Sequence, residues 1–465
     1  MRKQVILTIF TLTLAFVLCE ATSAANDTWI NETVANSSSI SGNSLALDSS
    51  GNPHISYYED GGDVKYAYKD DSGWHIINVD SGVTEDVTSI ALDSSDRPHI
   101  TYTYTQNGLK SIIYAYDDGS KHAEIALKGE GDYYSSVLAL DSSGNPHISC
   151  AYLSFDGTNF DLTVKYAYKD GSGWHVENAA LLYSDTTYPY PLIANSLALD
   201  SSGNPHISYY SPFTHHLEYA YKDGSGWHYD TVDNSAGDTS ISFGYTSLAL
   251  DLSGNPHIGY SDNLGNLKYA RTGEGPWIIE IVDSPGLAIY SPSLALDSSN
   301  NPHISYYIAE ILRYAVKSEG IWTIETLDAG YHGNGWRTFL VLDPSDNPHI
   351  SYSGRGYDFD ENSFDYLRYI YVPYSGNPTN PTNPTNPTNP TNPTNPTNPI
   401  DPTTPTNPVI PVNPVDPGNQ SENSISTPQI NAATNTVSMQ PTGIPIAGLI
   451  LAVSMLLGGL VTSKK

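Results

Sequence analysis

The chain has 465 residues, of which only 15% are charged, and it carries a formal net charge of −30 at pH 7. That balance lacks the basic footprint needed to bind phosphate backbones, so no nucleic-acid partner is expected. With 39% hydrophobic and 11% aromatic residues, it is not a disordered acidic chain either.

In chain order, residues 1–25 read as a secretory signal. Arg2 and Lys3 precede an apolar run over 5–18, and Ser23, Ala24 and Ala25 offer a small-residue cleavage site. Phe16, Val17 and Leu18 are not the small residues that lipid attachment at Cys19 would need. Loss of the signal leaves Cys150 as the sole cysteine, so no internal disulfide is expected.

Residues 26–374 are built from one repeated unit, first written at 44–58 as SLALDSSGNPHISYY. Its PHI core recurs at His54, His99, His147, His206, His257, His303 and His349, in steps of 45, 48, 59, 51, 46 and 46 residues. A repeat of that period points to a propeller array. Each unit alternates over strand lengths and turns at DSSGN. It then adds a third strand (VKYAYK, 64–69) and a fourth beginning at Trp74 (WHIINVD, 74–80). Four short antiparallel strands make one blade, so the fold class is all-β, a seven-bladed β-propeller.

The seventh unit reaches its third strand at 367–372 and lacks a Trp strand after it. WINETV at 29–34 matches WTIETL at 322–327 and WIIEIV at 277–282. The N-terminal strand is therefore expected to close the last blade and leave no free edge. The second unit departs from the pattern, with Lys121 and His122 where Trp-His should stand.

Residues 375–440 form a Pro/Thr/Asn-rich stalk, expected to be disordered. The triplet run over 377–399 favours extended polyproline II and would reach roughly 70 Å. Asn26, Asn31, Asn36 and Asn419 lie in N-glycosylation triplets. Residues 441–465 hold an uncharged apolar stretch at 444–461 followed by Lys464 and Lys465. It reads as a transmembrane helix of about 27 Å with a short cytoplasmic tail. The expected localisation is the cell surface, with the propeller outside.

Three resemblances follow from these residues. The stretch MQPTGIPIAGLILAV at 439–453 resembles the C-terminal anchors of archaeal, methanogen-type surface proteins. Asp170, Gly171, Gly173 and Trp174 resemble the Asp-box of sialidase-like propellers, one residue short between Asp and Trp. The repeats as a whole are similar to fucose-lectin-type propellers. Sialidase chemistry would need an arginine cluster facing a Tyr–Glu pair. The mature propeller has only Arg97, Arg271, Arg313, Arg337, Arg355 and Arg368, four of them on or beside repeat strands.

The repeated side chains read as structural: the seven PHI histidines, and the turn aspartates Asp48, Asp93, Asp141, Asp200, Asp251, Asp297 and Asp343. No metal site and no cofactor are expected. Calcium is the one ion these turns raise, and DSSGN lacks the additional carboxylates of a calcium loop. The loops between second and third strands, and those between blades, vary and are aromatic-rich. Variable loops on a rigid scaffold are where binding concentrates. The candidate ligand-binding residues there are Tyr183, Tyr188, Tyr190, Tyr290, Tyr331, His332, Trp336, Arg355 and Tyr357. No catalytic residue is assigned.

The leading reading is a membrane-anchored surface receptor or adhesin that binds an extracellular glycan or protein without catalysis. The alternatives are a glycan-active hydrolase or lyase using Asp185, Asp358, Asp360 or Glu361, and a structural envelope protein.

Overall fold

The structure is a computed structural model. It describes residues 29–373, apart from 60, 84–86, 187–193, 213, 235–244, 274, 310, 330–336 and 358–362. The expected signal, stalk and anchor lie outside the described residues. No helix among the described residues is long and apolar enough to cross a membrane.

Seven four-stranded antiparallel sheets carry the described chain. Blade 1 consists of Ile40–Leu47, Pro53–Glu59, Asp63–Asp70 and Gly73–Asp80, paired in sequence order. Blades 2 to 6 repeat this over 88–128, 132–185, 195–233, 246–283 and 289–328. Blade 7 takes Thr338–Leu342, Pro348–Tyr357 and Ser363–Tyr371, and its fourth strand is Ile30–Ser37 from the N-terminus. Ile30 pairs with Tyr371, and Glu32 with Tyr369. The closing strand expected from the WINETV match is therefore present.

Each blade is covered on both faces by its neighbours, so its middle strands are apolar on both sides. Ile55, Val64 and Ala67 are fully buried, and Tyr57 nearly so. Where the inner strands of adjacent blades converge, the side chains are small and polar. Ser56 Oγ meets Thr88 Oγ1 at 2.9 Å, and the amide of Ile90 donates to Ser44 Oγ.

The DSSGN turns are closed by their aspartates. Asp48 Oδ1 accepts from the amides of Ser50 and Asn52 at 2.9 and 2.7 Å, and Oδ2 accepts from Asn52 Nδ2 at 2.8 Å. The turn needs one residue in the left-handed region. Gly51 supplies it at φ +83°, while Asp96, Asn300 and Asp346 take that conformation in other blades.

Six tryptophans join the blades. Trp29, Trp74, Trp174, Trp227, Trp277 and Trp322 each meet a tyrosine of the preceding blade edge-on, at centroid distances of 5.2 to 5.6 Å. At three of these joints one glutamate accepts from both the indole and a lysine. Glu177 takes Trp227 Nε1 at 3.0 Å and Lys222 Nζ at 2.6 Å. Glu32 holds Trp74 and Lys69, and Glu280 holds Trp322 and Lys317, in the same way.

Candidate ligand groove between two blades

The joint between blades 4 and 5 departs from this clamp. Asp230 stands where five other blades place glutamate, and Thr272 where four place lysine. The shorter acid makes no hydrogen bond to Trp277. The turn leading into Trp277 also changes. The repeat KDGSGW becomes TGEGPW over 272–277, closed by Thr272 Oγ1 donating to the carbonyl of Gly275 at 2.6 Å.

A groove of about 410 Å³ opens there. Pockets that take small ligands run from about 300 to 1,000 Å³. One wall is Tyr219, Tyr221, Asp230, Thr231 and His206 of blade 4. The other is Trp277, Pro276, Thr272 and the backbone around Gly254, Gly273 and Gly275 of blade 5. The groove thus combines aromatic surface with carboxylate, hydroxyl and backbone groups. Burial lowers the His206 pKa, with Asp200 only partly opposing it, and His206 Nδ1 is committed to the Tyr219 hydroxyl. Burial in turn raises the Tyr219 hydroxyl. Both are neutral near pH 7, and Asp230 is the carboxylate among the groove's described residues.

The residues expected on the variable loops are placed as follows. Tyr183 lies near the end of Gly173–Asp185, the longest strand of blade 3, and packs against the buried cluster of Ala151, Leu153 and Leu162. Tyr290 starts blade 6 half-buried, with its ring edge-on to Tyr245 at 6.2 Å. Arg355 donates to Asp365 Oδ1 at 2.8 Å, and Asp365 Oδ2 accepts the amide of Ile40. Tyr357 ends its strand opposite Ser363. Tyr188, Tyr190, Tyr331, His332 and Trp336 lie outside the described residues, as do Asp358, Asp360 and Glu361. Asp185 accepts the amide and hydroxyl of the adjacent Thr186.

Each of the seven PHI histidines places Nδ1 against a third-strand tyrosine hydroxyl, and its Nε2 side faces the turn aspartate. Four arginines are held by carboxylates: Arg97 by Asp93, Arg313 by Asp283, Arg355 by Asp365 and Arg368 by Asp328. Asp170 Oδ1 accepts from Ser172 and faces His175 Nε2 at 3.0 Å, which ties down its own turn. Among the described residues, no group of three or more His, Cys, Asp or Glu is set to hold a metal ion.

Sequence reasoning placed the site on the variable end and missed the blade 4–5 groove. Two signals were available. One is the loss of the Asp and His of KDGSGWH from the blade 5 turn. The other is the exchange of Glu for Asp at 230.

No protein-family model matches the chain, and no curated protein matches it. Among solved structures, the propeller is similar to a fucose-specific lectin from Aleuria aurantia, at 12% identity over 64% of this chain and 97% of that one, TM-score 0.41. It is also similar to the polysaccharide lyase Uly1, at 9% over 72% and 90%, TM-score 0.43. An α-L-arabinofuranosidase from Fusarium graminearum matches at 12% over 61% and 91%, TM-score 0.39. Similarities this distant carry nothing about ligand or chemistry, which rest on the residues of this chain.

Proposed function

We propose that this chain is a non-catalytic carbohydrate-binding propeller, displayed outside the cell by its stalk and anchored by its C-terminal helix. The observation that carries the reading is the groove between blades 4 and 5. Trp277 and Tyr221 offer flat apolar surface, and Asp230, Thr231 and Thr272 offer directional hydrogen bonds. A sugar ring needs both: its C–H face packs on an aromatic ring while its hydroxyls need fixed partners. The variable-loop end, with Tyr183, Tyr290 and Arg355, is the second surface on which such a protein would engage a glycan or a protein.

The test is binding of the full chain to a broad glycan array, with and without calcium. A hit confined to one sugar class, lost in Asp230→Ala, supports the reading and its site. Binding that survives Asp230→Ala but fails in Tyr331→Ala or Trp336→Ala moves the site to the loop end. Cleavage of any polysaccharide in the panel would replace binding with hydrolysis or elimination as the function.

A further inference from the structure

We propose that the joint between blades 1 and 2 is a second binding site, one that takes a planar aromatic ring from solution. Six blades send an indole onto the tyrosine of the preceding blade. Blade 2 does not, because Lys121 occupies the tryptophan position. Its counterpart tyrosine is Tyr66, held by the same hydrogen bond to His54 Nδ1 that orients the other six.

A slot of about 70 Å³ lies there, lined almost wholly by apolar atoms. Tyr66, Ile77 and Val79 form the blade 1 wall, Ile100 and Ala115 the blade 2 wall, and Lys121 flanks the slot. A single water needs roughly 10–15 Å³, so the slot exceeds a packing defect, and dry apolar cavities of about 150 Å³ take benzene. This slot is smaller and open to solvent, so it suits one ring entering edge-first.

Three changes coincide at this joint. The tryptophan becomes Lys121, the clamp glutamate becomes Ile77, and the clamp lysine becomes Asp117. Loss of the indole alone would have left a glutamate as a charged wall. Instead the wall is re-lined with isoleucine, which favours an apolar guest. The other joints identify that guest, because the same tyrosine takes an aromatic edge in six of seven blades. The Lys121 ammonium adds a cation that favours a π face over an aliphatic group of equal size. This site shares no residue with the blade 4–5 groove.

Free indole is the probe, titrated into the full chain and followed by ligand-observed NMR, with cyclohexanol as the non-aromatic control. Saturable one-site binding of indole, at least tenfold tighter than cyclohexanol, is expected. Lys121→Trp should fill the slot from within, abolish indole binding and leave the melting temperature equal or higher. Should that variant fold poorly, Ile77→Glu returns a charge to the wall and should weaken indole at least tenfold. Absence of indole binding to the wild type, or equal binding by the folded Lys121→Trp or Ile77→Glu proteins, overturns the proposal.

Discussion

His54 Nδ1 and the Tyr66 hydroxyl lie 2.5 Å apart, buried between the second and third strands of blade 1. With Asp48 facing Nε2 at 3.8 Å, the network is met by a neutral imidazole that accepts from tyrosine and carries its proton on Nε2. The same triad recurs in all seven blades. Burial is the largest influence on each histidine and lowers its pKa, against partial opposition from the turn aspartate.

Acid should therefore destabilise the propeller. A histidine whose folded pKa lies below its unfolded value binds more protons when unfolded. Its stabilising contribution is complete above about pH 6.5 and is lost as pH falls below that. Seven such sites act together. The turn aspartates, held low chiefly by Asn52 and its equivalents against the effect of burial, add a second loss below about pH 4. Thermal melts from about pH 7.5 to about pH 5 should show a falling Tm, and a flat profile would contradict the triad's neutral state.

The tryptophan clamp should be transferable. Glu177→Ala removes the acceptor shared by Trp227 and Lys222 and should cost about 1–2 kcal/mol, discounted for its partial exposure. Asp230→Glu adds the missing methylene at the blade 4–5 joint. It should raise Tm by a few degrees and weaken any ligand held in the groove. Urea titration of both variants, beside the binding assay, separates the two effects.

Lys268 is buried between two carboxylates, with Nζ 3.0 Å from both Asp233 Oδ2 and Asp262 Oδ2. Burial alone would lower its pKa, but the two acids outweigh it and raise it. Lys268→Met would leave two buried acids without their cation and should cost about 3–5 kcal/mol. A loss under about 1 kcal/mol in denaturant unfolding would show that the cluster relaxes into water.

Cys150 sits fully buried in the second strand of blade 3, and burial pushes its thiol up to about 12. In a Cys19→Ser background, a thiol-specific reagent at pH 8 should leave the native protein unmodified and react fully in urea. Prompt labelling of the native protein would show that blade 3 opens locally.

Blade number, strand count and ring closure were legible because each depends on periodicity. The PHI spacing counts the blades, and the likeness of WINETV to the internal Trp strands announces the closing strand. The differences between joints were harder to read. Glu280 and Asp230 look interchangeable along the chain, yet across their joints Glu280 accepts from Trp322 while Asp230 does not accept from Trp277. A glutamate alone does not ensure the bond, since Trp174 Nε1 at the Glu124 joint has no hydrogen-bond partner among the described residues. Arg355 illustrates the reverse case. On a variable loop it reads as a ligand contact, but the strand it extends brings it to Asp365, ten residues on, which had no motif to mark it.

The most direct test of the central claim is a paired glycan array of the full chain and its Asp230→Glu variant, each with and without calcium. Carbohydrate binding in the blade 4–5 groove predicts one sugar class bound by the wild type, calcium-independent, and reduced at least tenfold when the groove narrows. A blank array for the wild type, or the same hits at unchanged strength in the variant, would contradict it.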